Sequence, residues 1–259
     1  FYTGTYYPRS KKVSGFTVIH QSEHYINQER RLYLARQFLE SATFHMIRNL
    51  RNYRENDYVR KVIEEIELKR LLFNEVNSIP ELMGIEGKIR QLYYSSFNHI
   101  LPSEFAFDER SKRPPKDPLN ALISFGNSLC YTTILSEIYK TYLDPSISFL
   151  HEPSTKRFSL SLDLAEIFKP LLVDTVIFAL LNRKQINKTD FEYMDEMVLL
   201  NENGRKKFIK AWTDKLNTTV KHRKLKRNVS YRNFIRLECY KLIKHCIDDE
   251  KYKALKAWW

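Results

Sequence analysis

The chain has 259 residues, 43% of them hydrophobic, enough for a sizeable core in one large domain or in a domain with an added fragment. Its net charge of +12 at pH 7 points to a polyanionic partner, nucleic acid first, with an acidic protein or a membrane surface as the other options. No run of about 18 apolar residues occurs, which excludes a membrane-spanning helix. The three cysteines, Cys130, Cys239 and Cys246, are too few and odd in number for a disulfide framework and suit a reducing cytoplasm.

Residues 1–21 stand apart from the rest. FYTGTYY and GFTVIH are aromatic and β-branched, which predicts short strands. The start carries neither an initiator Met nor an apolar leader core, and the chain reads as a piece of a longer protein. From Ser22 the apolar residues Leu32, Leu34, Ala35, Phe38, Leu39, Ala42, Phe44 and Met46 recur at helical steps, decorated by arginines between Arg30 and Arg54. A second helix fits residues 57–75. Ser78 followed by Glu81 is a capping-box pair, with Pro80 suited to the first turn, and predicts a helix to about Ile100. ERSKRPPKDP is a basic, proline-stiffened loop. Asp117-Pro118 opens a helix that is apolar on most sides and therefore central, ended by Asp144-Pro145. A helix beginning between Phe158 and Leu160 should run past Pro170 with a kink there. Two or three more helices fill residues 188–256. Six glycines and no internal repeat complete a mainly α chain: residues 22–259 form a multi-helix domain, preceded by a short β-strand remnant and linker at 1–21.

Four groups carry possible chemistry. With Asp163 at zero on a helical wheel, Glu166 falls near about 300° and Asp174 near about 20°, so these acids share one face of an otherwise apolar helix. An acidic stripe there costs desolvation unless a divalent cation or a basic side chain faces it. Glu86 lies between Gly84 and Gly87 in a predicted helix, where two glycines invite a close approach by another helix or a nucleic-acid backbone. His151 ends an apolar run. Each also has an ordinary reading: Glu86 as a solvated helix residue, His151 as a core or loop histidine, Asp163 as an early-helix acid favoured by the dipole. Cys239, His245 and Cys246 lie close in sequence, but no CxxC pair supports zinc there.

The stretches LMGIEG, RPPKDPLNALISFGNSLCYTTIL, SFLHEP and FSLSLDLAEIFKPLLVD occur in that order and resemble the CRISPR-associated Cas1 integrases, which capture new spacers. The resemblance runs from Tyr6-Tyr7-Pro8-Arg9 to the basic segment near Lys226. It implies a small N-terminal β-domain, of which FYTGTYYPR would be the last piece, and a larger helical catalytic domain. It also implies pairing into a homodimer through the β-domain and a bridging Cas2 partner. One catalytic divalent metal, Mg²⁺ or Mn²⁺, would be held by Glu86, His151 and Glu166. Asp163 would support the site, and Arg157 would hold the acids or touch phosphate.

Spacer insertion is a transesterification, in which a 3′-hydroxyl attacks a phosphodiester and a divalent ion stabilises the developing charge. Carboxylates and an imidazole suit that ion. DNA would lie on basic surfaces, with Arg110, Lys112 and Arg113 in the loop and Lys224, Lys226 and Arg227 downstream as candidates, bound with a steep salt dependence. Two alternatives stand beside the integrase: a metal nuclease that cuts without joining, and a non-catalytic helical DNA-binding scaffold.

Overall fold

A computed structural model describes residues 12, 14–111, 113–154 and 158–259. Among them lie nine α-helices and two short antiparallel strand pairs, a mainly α architecture as expected. The first eleven residues, including the anticipated strand FYTGTYY, lie outside this range, as do Lys112 and Arg157.

GFTVIH is not a strand. It opens helix α1, Gly15–Ile26, whose N-cap Ser14 accepts a hydrogen bond from Thr17 N. The buried face of α1 is polar, with Thr17, Gln21 and His24, while Phe16, Ile19 and Ile26 are exposed. The helical apolar pattern that marks a helix in sequence is therefore inverted, and the β-branched residues misled. The expected boundary after position 21 falls inside this helix. Asn27 then caps α2, Gln28–Arg51, through Arg30 N.

Helix α2 is the central post. It packs against α6 and against α3, Asp57–Leu71, which ends in a short 3₁₀ turn. Helix α4, Ile79–Ser95, starts at Ser78 as predicted; Glu81 N donates to Ser78 Oγ, while the Glu81 carboxylate caps Asn77 N one residue earlier than a capping box would. Helix α5, Pro118–Ile138, is capped by Asp117 and ends five residues before the predicted Leu143. It packs against α6 and against α9, Tyr231–Cys246.

The predicted kink at Pro170 takes a definite form. Helix α6, Ser159–Phe168, passes through a π-helical segment, Lys169–Asp174, into α7, Thr175–Asn182. Proline supplies no N–H to the helical ladder and its ring crowds the carbonyl four residues earlier, and the resulting break takes the π form. Asn49 of α2 donates to Pro170 O at 2.7 Å and fastens the widened turn. Strands β1, Phe191–Met194, and β2, Met197–Leu200, pair with Phe191 opposite Leu200. Strands β3, Thr219–Lys221, and β4, Asn228–Ser230, pair with Val220 opposite Val229. Both hairpins, too short to show a period, went unanticipated in a region read as helical, where α8, Glu202–Asn217, and α9 are the only α-helices after position 188 among the described residues.

Candidate active site

Asp163 organises the loop that ends in His151. Its carboxylate, fully buried, accepts from the backbone N–H groups of Phe149, Leu150 and His151 at 2.6, 2.9 and 2.9 Å, and from His151 Nδ1 at 2.8 Å. With Nδ1–H committed to Asp163, the lone pair of the ring resides on Nε2, the tautomer a metal-binding histidine needs. Burial lowers the His151 pKa, but the hydrogen bond and charge of Asp163 outweigh it, and the net shift is upward.

The loop is braced from the far end of the chain. Arg31 of α2 donates from Nε to Phe149 O at 2.8 Å and pairs with Glu152 at 2.6 Å, and Tyr25 donates to Glu152 at 2.9 Å. Gln21 donates to Asp144 O and Ile147 O at 2.9 and 2.8 Å and accepts from Asp144 N. These braces span more than 110 positions, so no local pattern revealed them.

Glu86 of α4 and Glu166 of α6 are brought together by Arg90. Its guanidinium donates to Glu86 Oε1 from Nε and to Glu166 Oε2 from Nη2. Lys169 donates to the other Glu166 oxygen at 2.7 Å, with its ammonium 5.1 Å from the centre of the Tyr131 ring. Burial pushes the Glu166 carboxyl up, yet the charges of Arg90 and Lys169 prevail and hold it well below the usual carboxylate range. His151 is within electrostatic reach of Glu166. The structure thus places Glu86, Glu166 and the His151–Asp163 pair in one neighbourhood. Among the described residues no three His, Cys, Asp or Glu side chains converge on a single point; the Arg90 guanidinium stands between the two glutamates. Arg90 and Lys169 are the site residues that sequence reasoning missed. Their i,i+4 and i,i+3 spacing from Glu86 and Glu166 was the available signal.

Among the described residues Asp174 makes no hydrogen bond with this group, although the charges of Arg90 and Lys169 bear on it. The π-turn breaks the 3.6-residue register that the wheel assumed, and Asp174 instead accepts from Tyr93 OH at 3.0 Å, itself hydrogen-bonded by Asn49. Burial pushes its pKa up to about 7. Gly84 and Gly87 face open space, with nothing within 4 Å of an added Cβ, so no helix among the described residues makes the close approach they were expected to admit.

The predicted DNA contacts divide. Arg110 is turned inward, donating to Asn120 Oδ1 at 2.6 Å and Ser124 Oγ at 2.9 Å, whereas Arg113 is exposed. Lys224, Lys226 and Arg227 sit on the β3–β4 hairpin, all exposed; Lys224 pairs loosely with Glu250 at 3.4 Å. Cys130, Cys239 and Cys246 are buried free thiols whose burial opposes deprotonation, which disfavours zinc at Cys239 and Cys246. No helix among the described residues is long and apolar enough to cross a membrane.

The sequence profile of the family described as CRISPR associated protein Cas1 matches residues 1–214. The chain belongs to the Cas1 family. A relative from Clostridium perfringens strain SM101, named CRISPR-associated endonuclease Cas1, is 56% identical over 262 residues, covering all of this chain and 79% of that protein. Among solved structures, a Cas1 protein from Thermotoga maritima superposes with TM-score 0.85 at 41% identity, covering 99% of this chain and 78% of the other. Two more distant structures share the fold: a casposase bound to integration product, at TM-score 0.80 and 23% identity over 92% of this chain and 70% of the other, and a partial Cas6-RT-Cas1–Cas2 complex, at TM-score 0.84 and 17% identity over 97% and 77%. Membership in this endonuclease family accounts for the mainly α fold and for the four sequence stretches that carry the resemblance.

Proposed function

We propose that this Cas1 chain is a metal-dependent DNA integrase of CRISPR adaptation, joining the 3′-hydroxyl ends of a spacer precursor to the repeat. The observation that carries the reading is the assembly of Glu86, Glu166 and a His151 ring whose tautomer Asp163 sets, from three separate segments of the chain. This donor set fits a divalent cation: two carboxylates and one imidazole nitrogen match Mg²⁺ or Mn²⁺ better than a soft metal. Glu86, His151 and Glu166 would hold the ion, and when bound it would supply stabilisation for the charge that gathers on the phosphoryl oxygens.

The chain's own residues do the rest. Asp163 orients His151; Lys169 holds Glu166 ionised. In the reaction the incoming 3′-hydroxyl gives up its proton as its oxygen forms one P–O bond and another breaks, and the departing 3′ oxygen takes up a proton, so no net proton is consumed. No covalent enzyme intermediate is needed. The exposed Arg113 and the β3–β4 hairpin would hold phosphates, with Lys112 of the same basic loop and Arg157, implied by the resemblance, as further candidates. The integration product bound by the casposase and the Cas2 named in the composite complex fit DNA and a Cas2 protein as partners, and a homodimer is proposed on the family resemblance.

The relative's name, endonuclease, supports a second reading, cleavage without joining. Strand transfer separates the two. The protein is mixed with Cas2, a labelled short duplex, supercoiled plasmid and Mn²⁺. Label joined to plasmid, abolished in His151→Ala while most duplex binding survives, supports the integrase. Nicking without joining favours the nuclease, and binding with neither product favours a scaffold.

A further inference from the structure

The two glutamates at the centre of the site are already neutralised. Glu86 and Glu166 face Arg90 and Lys169, two negative charges against two positive ones. The four side chains are 21%, 5%, 19% and 10% exposed, so water screens little of what passes among them. Arg90 uses its fork to reach both carboxylates from one guanidinium, a bridging geometry that an ammonium cannot reproduce. A divalent cation entering between Glu86 and Glu166 would meet a resident positive charge and raise the local charge by two, of which the buried Asp163 carboxylate behind His151 answers at most one. Two changes relieve that excess: the guanidinium leaves the carboxylates, and an anion arrives. A phosphodiester supplies the anion and is also the natural next partner of a released guanidinium.

We propose that Arg90 is a displaceable internal counter-ion that holds the carboxylate pair closed to metal and makes metal capture depend on the arrival of phosphate. The inference rests on the divalent-metal reading of the site. It assigns Arg90 a positioning role: in the resting protein the residue keeps two partly buried carboxylates paired, and in the loaded protein it turns to the nucleic-acid backbone.

The test is Mn²⁺ binding, read from the free-ion electron paramagnetic resonance signal, with and without a short duplex bearing blocked 3′ ends. In the wild-type protein the duplex should tighten Mn²⁺ binding by at least about tenfold, since a unit charge a few ångströms away contributes nearly that factor even at the dielectric of water and more in a partly buried site. In Arg90→Gln, Mn²⁺ should bind about tenfold more tightly without DNA, and the duplex should add little. Arg90→Lys, which keeps the charge but reaches one carboxylate, should fall between the two. Equal or weaker Mn²⁺ affinity in folded Arg90→Gln overturns the inference. If that variant does not fold, wild-type or weaker affinity in Arg90→Lys overturns it. Glu166→Gln separates this failure from the other: unchanged Mn²⁺ affinity in that variant would overturn the metal reading itself, and the role of Arg90 with it.

Discussion

Asp163 accepts from three backbone N–H groups and one imidazole N–H, all inside the protein. An ionised carboxylate can do this because both of its oxygens only accept. An asparagine keeps the shape but offers one accepting oxygen and sets an NH₂ against donors. Asp163→Asn should therefore destabilise the protein by about 2–4 kcal/mol, since each buried donor left unpaired costs about 1–3 kcal/mol. Urea unfolding checks the magnitude; an unchanged midpoint would remove Asp163 from the centre of the loop. Strand transfer should fall together with stability, because the His151 ring loses the partner that sets its tautomer. In sequence Asp163 looked like an acid placed by the helix dipole or a supporter of the site. Its role at the loop emerges only in the folded protein, where α6 sets the carboxylate against the backbone N–H groups of residues 149–151.

At the scale of elements, the passage from α6 to α7 places the chemistry. The π-segment turns Lys169 toward Glu166 and Asp174 toward Tyr93. It also presses Val173 against α5 at Gly126, where an added Cβ would stand 2.5 Å from Val173 Cγ1 and 2.9 Å from Phe208 Cζ. Gly126→Ala should cost about 1–3 kcal/mol through overpacking. Gly84→Ala and Gly87→Ala should do the opposite, stabilising α4 by about 0.5–1 kcal/mol each, because their surroundings are open and alanine is the better helix former. Thermal or urea unfolding of the three variants tests the contrast. A destabilised Gly84→Ala would mean that something packs closely there.

Across the whole molecule, the C-terminal segment is locked to the core through His45. This buried ring on α2 faces Ile167 O of α6 at 3.2 Å through Nδ1–H, and its Nε2 accepts from Ala257 N at 3.1 Å. Burial pushes its pKa down to about 3, from an ordinary value of 6.5. Because the folded value is depressed, the unfolded chain binds the proton first. The contribution of His45 is then fully present above about pH 6.5 and drains away as pH falls toward 3, at about 1.4 kcal/mol per pH unit. Unfolding free energy should drop by about 1 kcal/mol on this account between pH 7 and 5.5, and His45→Gln should flatten that part of the profile. Equal slopes in the two proteins would show that other groups carry the acid sensitivity.

Helix positions from α2 through α6, the caps at Ser78 and Asp117, the central place of α5 and the break at Pro170 were legible from the sequence, because periodicity, capping and proline chemistry act within a few residues. So were Glu86, His151, Asp163 and Glu166 as candidates, through stretches that resemble Cas1. What the sequence could not decide was anything set by contacts between distant segments: the polar buried face of α1, the hold of Gln21 and Arg31 on the His151 loop, and the partner of Asp174 beyond the π-turn. Only the tertiary structure put Arg90 between Glu86 and Glu166. A charge on one helix finds a carboxylate on another only after α4 and α6 have packed, and that packing is driven by apolar burial that carries no record of which charges it brings together.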